Sequence, residues 1–484
     1  MNKIQNFQYG IALAISTVVV CLYALSVNPL FWGFGNDSSL YIEQGKLIIS
    51  GGIPYVDLFD QKGLYLYFIQ VLGLLIDSGK WGIFILIILN YSVFFYIWIR
   101  TIHLFVEYKD IWLPFIATLL IFLFLFPRGN LTEDWSLPFI SYVIYAFSKY
   151  LAGGGNISYR ECFFTGLCIG IITFIRVNNN APICCACIFM IVSYIRDSKW
   201  KRLAYSIICV LSGFGLIIVL TTIVWVSLYG TETLYDMVYG TFLFNIEYKD
   251  KWGDYGIIDF FNRLPTQLSL FVFLLTWLSD YKKNVSKVIV IILAFALICS
   301  TFSNSYYTHY YVVAMPLYMY SFIIMFKSKT YIKLTHLLCK INCNKILFFI
   351  VLFSLPFALS LNKVYSKVNM AEEDEYVEAR NKYLNMPKEE KRSIWNYNAE
   401  FVASKFCINI NAVQMNRIMI PKELDVSSEL QDNGTIIDYH PKRVLVKKGG
   451  YKHKTWNEDS LFLNKYYHIE HEMKLSKTVV FVRN

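Results

Sequence analysis

The chain has 484 residues, 56% of them hydrophobic and only 17% charged; an average globular chain carries roughly 25% charged residues, so one large soluble protein is excluded. Its formal net charge of +10 invites a nucleic-acid reading, but the cations sit between apolar runs, where they set membrane orientation instead. Eleven cysteines lie mostly inside those runs, with only Cys407 in the polar C-terminal part, which excludes a disulfide framework or a zinc protein as a description of the whole chain.

In chain order, charge-free intervals mark the helices. The first lies between Lys3 and Asp37 and is too long for the h-region of a cleaved signal peptide. Later intervals are 81–99, 111–127, 135–148, 162–175, 177–195, 203–231, 264–279, 288–326 and 346–362. A spanning helix needs about 20 apolar residues. The interval 288–326 therefore holds two helices, broken at Ser303–His309, and the total predicted is eleven spans. The run 63–76 has helical content but is short, and charge parity assigns it. If it lies on the outer surface, the inner loops downstream hold 16 Lys/Arg and the outer loops six; if it spans, that bias inverts. The N-terminus is then cytoplasmic, and the segments 31–79, 128–134, 230–263 and the tail from 363 face outward.

The expected fold class is thus an all-α polytopic membrane protein, with a transmembrane domain at 1–362 and a small extracytoplasmic α/β domain at 363–484. The tail is about 30% charged, against about 12% for the rest. Strand-like runs at 443–446 and 478–482 alternate there with helical patterns at 372–384 and 395–406. Cys184, Cys185 and Cys187 sit in an apolar span and read as packing residues. Asn130-Leu131-Thr132 and Asn433-Gly434-Thr435 fit a glycosylation pattern short enough to arise by chance.

The first outer loop carries most of the chemical signal. Asp37-Ser38-Ser39 offers N-cap chemistry for a helix over 38–50, in which Leu40, Leu47 and Ile48 set against Glu43, Gln44 and Lys46 predict an amphipathic helix along the membrane. Gly51-Gly52 ends it and Pro54 keeps the chain extended. The series Asp37, Tyr41, Gly51-Gly52-Ile53-Pro54-Tyr55, Asp57, Asp60, Lys62, followed by a juxtamembrane helix, resembles the first extracytoplasmic loop of GT-C-fold glycosyltransferases. The nearest are the protein O-mannosyltransferase and aminoarabinose-transferase-like enzymes of glycosyltransferase family 39. The likeness extends to the second loop, Pro127 to Pro138, and to His309-Tyr310-Tyr311 before Met315-Pro316. As architecture it covers residues 1–362, and as motifs only these loops.

That resemblance implies a GT-C-like membrane glycosyltransferase, inverting at the anomeric carbon, that takes a hexosyl or pentosyl group from a polyprenyl-phosphate sugar. The acceptor would be an extracytoplasmic glycan, lipid or protein, and the setting a bacterial cytoplasmic membrane. No cofactor is required, a divalent metal is allowed, and no nucleic acid is a partner. Asp37 is the general-base candidate, or else a helix cap. The mannosyltransferases carry an acidic pair where this chain has Asp37-Ser38, so Glu133 and Asp134 become substitutes for the second carboxylate, or else a capping pair. Lys62 matches a basic position that points to the donor phosphate. Arg128 and Arg176 are phosphate ligands or headgroup anchors. His309 binds phosphate, ligates a metal or caps a helix. Tyr41, Tyr55, Asp57, Asp60 and Arg263 are assigned to the acceptor or lipid groove. The absence of a DxD triplet in the outer loops, and of HExxH, GxSxG and P-loop motifs, removes other common enzyme classes. A lipid or polysaccharide transporter would show charges inside its spans, which are nearly absent here. An O-antigen-type polymerase or ligase would concentrate polar residues in a large late loop.

Overall fold

The computed structural model describes residues 3–30, 35–107, 111–125, 129–153, 156–248, 264–279, part of 288–296, 308–328, 370–397, 401–410, 412, 441–448 and 463–484. The chain divides into two compact units. The first comprises residues 1–24, 86–228 and 249–365; the second gathers 25–85, 229–248 and 366–484, so the first outer loop shares a unit with the tail.

The helices of the first unit follow the charge-free intervals. They are α1 (Lys3–Tyr23), α4 (Trp81–His103, entering from the second unit), α5 (Trp112–Leu125), α6 (Thr132–Gly153), α7 (Tyr159–Thr173), α8 (Ala181–Arg196), α9 (Trp200–Tyr229), α12 (Leu264–Leu278) and α13 (Met315–Phe326). Among the described residues five helical stretches, Asn6–Tyr23, Trp81–His103, Val177–Arg196, Trp200–Tyr229 and His309–Phe326, are long and apolar enough to cross a membrane. The expected span at 346–362 and most of the break at 303–309 lie outside the described residues.

Aromatic side chains bind α4 to α5: Trp98, stacked on Phe95 of its own helix, meets Phe115 at 5.0 Å, and Tyr91 meets Phe122 at 5.6 Å. Between α1 and α4 the hydroxyls of Ser16 and Ser92 lie 2.7 Å apart, polar glue of the kind apolar helices use where burial gives no driving force. α7 and α9 pack through glycine. A Cβ at Gly166 would lie 2.0 Å from the Val210 carbonyl oxygen, and one at Gly213 would lie 2.1 Å from that of Phe163. α9, 30 residues and about 45 Å long, keeps most of its other face exposed: Ile208, Leu211, Val219 and Ile223 all point outward, as lipid-facing residues do.

In the second unit, which also holds the short helices α10 (Leu234–Val238) and α11 (Phe244–Tyr248), α2 (Asn36–Ile49) packs against α3 (Leu64–Ile76) and against α16 (Phe401–Asn409) of the tail. Gly45 permits the first contact, because a Cβ there would meet Gln70 at 2.8 Å. The tail adds α14 (Met370–Tyr383), α15 (Lys388–Lys391) and a four-stranded sheet in the order β1 (Ile394–Asn396), β2 (Arg443–Lys447), β4 (Thr478–Arg483), β3 (Tyr467–Met473). β1 and β2 are parallel, while β2–β4 and β3–β4 are antiparallel. Leu445 and Val480 enter one core with Tyr376, Tyr383 and Phe406; Val444, Val446, Val479 and Phe481 enter a second with Trp395 and Tyr467. Arg443 closes one end of the sheet, its guanidinium bidentate on Glu470 at 2.7 and 3.1 Å and donating to Glu390 at 2.6 Å.

Three local expectations are corrected. The N-cap of α2 is Gly35, with no side-chain cap, so Asp37 sits inside the first turn. α2 is not amphipathic in its surroundings: Ser38 through Leu47 are all buried, because tail helix α16 covers the polar side. The helix expected over 395–406 begins at Phe401, since Trp395 is held in β1 by its parallel partner β2.

Candidate active site

The carboxylates and cations singled out in the sequence fall into two groups, one in each unit.

In the second unit the turn after α2 determines the geometry. Gly51 takes φ +89°, a region open to glycine, and ends the helix as expected. Asp57 is exposed and its Oδ2 accepts the Ile53 N–H at 2.7 Å, making it a turn residue. Tyr55 also takes a positive φ, 66°, and its ring is fully buried. Gly240 makes room for that ring: a Cβ there would lie 2.4 Å from Tyr55 Cδ1. The Tyr55 hydroxyl donates to the Lys62 carbonyl at 2.7 Å and accepts from Thr241 Oγ1 at 3.2 Å. Gln44 holds the Leu58 carbonyl at 2.8 Å, and Asn245 holds that of Gln61 at 3.0 Å. The backbone of 55–62 is therefore pinned from several sides.

Within this frame Asp60 is buried, its Oδ1 accepting the Gln61 N–H at 2.7 Å and its Oδ2 accepting the Tyr67 hydroxyl at 3.0 Å. Burial pushes the Asp60 carboxyl above the usual carboxylate range; the positive charge of Lys62 and these two hydrogen bonds oppose that, while the charge of Asp37 adds to it. Asp37, Asp60 and Lys62 are thus within electrostatic reach of one another. Asp37 and Lys62 are half-buried, whereas Asp60 is enclosed. Burial and the neighbouring Asp60 raise the Tyr67 hydroxyl well above its ordinary value, so it remains a donor. Tyr41 is buried in α2 and packs there.

In the first unit, Glu133 and Asp134 open α6. Pro138 removes the N–H that would bond to the Asp134 carbonyl, and Asn90 Nδ2 takes that carbonyl instead at 2.8 Å. The Asp134 side chain accepts the Tyr91 hydroxyl at 2.7 Å and the Leu131 N–H at 2.9 Å, a bridging and capping arrangement. Glu133 forms an ion pair with Arg176, whose guanidinium carbon lies 4.2 Å from the centre of the Tyr310 ring. His309 meets the edge of the same ring at 4.7 Å, and its charge acts on Glu133. Glu133, Arg176, Tyr310 and His309 therefore form one cluster, drawn from segments far apart in the chain. Asn130 is fully buried and accepts from Trp135 Nε1 at 2.9 Å, so the first glycosylation pattern is not displayed. Arg128 and Arg263 lie outside the described residues. Among the described residues no group of three or more His, Cys, Asp or Glu side chains is placed to hold a metal ion.

Sequence reading assigned Asp60 to a groove and missed its burial and its tie to Lys62. The signal was the short spacing Asp60, Lys62, Tyr67, which has meaning only once Tyr67 turns back from α3.

No family model and no curated protein matches the chain. Among solved structures it is similar to ArnT from Cupriavidus metallidurans, a crystal structure bound to undecaprenyl phosphate, with a TM-score of 0.62 over 98% of this chain and 97% of that one, at 10% sequence identity. The fold is ArnT-like. The resemblance drawn from the outer loops is borne out at the level of fold. It extends beyond the transmembrane part to nearly the whole chain, the ArnT-like match including the tail.

Proposed function

We propose that the chain is a membrane glycosyltransferase that moves a sugar from a polyprenyl-phosphate donor to a hydroxyl on an extracytoplasmic acceptor. The observation that carries this reading is the arrangement of Asp37, Asp60 and Lys62. Asp37 stands in the first turn of α2 without serving as its cap, and it acts electrostatically on Asp60, which also feels the Lys62 charge. The ArnT-like fold supports it, since the ArnT structure holds undecaprenyl phosphate.

In this scheme Asp37 takes the proton of the acceptor hydroxyl as its oxygen attacks the anomeric carbon. The bond from that carbon to the phosphate oxygen breaks, the anomeric centre inverts, and polyprenyl phosphate departs. Lys62 stabilises the charge that gathers on the leaving phosphate. Asp60 does not touch the reactants; it fixes the Lys62 segment through Tyr67 and the Gln61 N–H. The two carboxylates thus divide the work by environment, one partly open and one enclosed. The first loop faces outward in the orientation set by the excess of cations in the opposite loops.

Purified protein supplied with a polyprenyl-phosphate sugar and acceptor tests the assignment. Asp37→Asn is expected to lower turnover about 10²–10⁴-fold while donor binding is kept. Unchanged turnover removes Asp37 from the base role.

A further inference from the structure

A cavity of about 210 Å³ opens among α6, α7, α8 and α9, within the first unit and away from both groups of candidate site residues. Its walls are apolar, with Val143, Phe147, Met190 and Val210 among them. It falls below the roughly 300–1,000 Å³ of pockets that hold drug-sized ligands, so it suits a slender chain better than a sugar or a nucleotide. Three hydroxyl side chains interrupt the apolar lining, Thr165, Tyr194 and Ser206, of which Thr165 is bonded to the Glu161 carbonyl of its own helix. Tyr194 and Ser206 are only 2% and 8% exposed, and neither hydroxyl makes a well-formed hydrogen bond, Tyr194 interacting with the Arg202 guanidinium and Ser206 with the weakly bonding Cys162 thiol. Buried hydroxyls normally find partners, so an occupant with acceptor oxygens would complete them.

One end of the cavity is strongly cationic. Ile157, Tyr194 and Leu203 line it there, and Arg202 lies alongside, donating to the Ile157 carbonyl with its guanidinium carbon 4.0 Å from the centre of the Tyr159 ring. The chain segments that meet at this end, 149–161 and 194–202, carry Lys149, Arg160, Arg196, Lys199, Lys201 and Arg202 against only Glu161 and Asp197. Glu161 is paired with Lys149, and Asp197 is shared by Arg196 at 3.2 Å and Lys199 at 3.3 Å. The remaining positive charge stands beside the apolar cavity.

We propose that this cavity is a binding site for one acyl chain of an acidic phospholipid, whose ester oxygens accept from Tyr194 and Ser206 and whose phosphate rests at the Arg202 end. Charge complementarity favours an acidic headgroup over a zwitterionic one, as for basic pockets between membrane helices generally. The lipid braces the α7–α9 contact from the side. The site is independent of the glycosyl-transfer reading.

The test is lipid retention by the full chain purified in mild detergent, read by native mass spectrometry, together with the thermal midpoint after adding phosphatidylglycerol or phosphatidylcholine at equal mole fraction. One retained acidic phospholipid per chain is expected, with a higher midpoint in phosphatidylglycerol only. Ala146→Leu, which fills the cavity, is expected to lose the retained lipid while eluting as the wild type does. Arg202→Gln is expected to weaken the preference for phosphatidylglycerol by roughly tenfold, the loss of one charge-assisted contact. This second variant decides the matter if the first fails to fold. Equal responses to the two lipids, or full retention in both variants, overturns the proposal. So does a retained lipid that proves to be polyprenyl phosphate.

Discussion

Lys46 extends its ammonium to the Ile408 carbonyl at 3.1 Å, tying α2 to the tail helix α16. Burial lowers its pKa from 10.5 to about 8; nearby Lys391 adds to the lowering, while Cys407 and Glu43 oppose it. The unfolded chain therefore binds more protons than the folded one between about pH 8 and 10.5, and stability rises with pH across that window, by about 3 kcal/mol in all. Lys46→Met removes this contribution. Thermal midpoints from pH 7 to pH 10 should rise more steeply for the wild type than for the variant, and parallel curves would refute the assignment. The sequence showed Lys46 only as part of the polar side of a helix. Periodicity tells which face a helix hides from water, but the segment that covers the other face lies some 360 residues on in this chain and leaves no local mark. Asp37 was legible as a chemical group next to a helix start. Its release from the capping role was not, since that depends on the backbone of Gly35.

At the scale of elements, the helices of the first unit were readable because charge ends them: Lys80, Arg196 and Lys199 to Arg202 stand at the boundaries of α4, α8 and α9. Their mutual packing depends on residues that periodicity ignores. Gly166 and Gly213 let α7 and α9 approach until backbone meets backbone. Gly213→Val must push the Phe163 carbonyl aside, and overpacking of this kind costs about 1–3 kcal/mol. A lower thermal midpoint is expected, with the same substitution at Gly215, where a Cβ meets nothing within 4 Å, as the tolerant control. Equal midpoints for the two variants would show that the contact is loose. In the tail, β2 and β4 were legible as short Val-rich apolar runs. β1 is only three residues long, and β3 alternates His and Glu on a largely solvated face, so neither carries an apolar pattern to read.

For the whole molecule, composition established a polytopic helical membrane protein, and the outer-loop motifs indicated the ArnT-like fold that the structural comparison bears out. The uneven distribution of Lys and Arg predicts that the first loop faces outward, which labelling tests directly. A single reporter at the exposed turn, Asp57→Cys, should react with a membrane-impermeant maleimide added outside intact cells beyond the background of the unsubstituted chain; Cys339 and Cys343 fall in the Lys-rich stretch 327–345 assigned to the inner face, and Cys407 is buried with a thiol pushed well above its ordinary pKa by that burial. Labelling only after the cells are opened would place the loop on the wrong side for an outward-facing transfer. The central claim is the donor class, and the carrier product reads it most directly. Purified protein incubated with a polyprenyl-phosphate sugar and envelope acceptors should form one polyprenyl phosphate for each sugar transferred, detected by mass spectrometry. A donor that binds yet stays intact, or a carrier recovered as the diphosphate, would contradict the account.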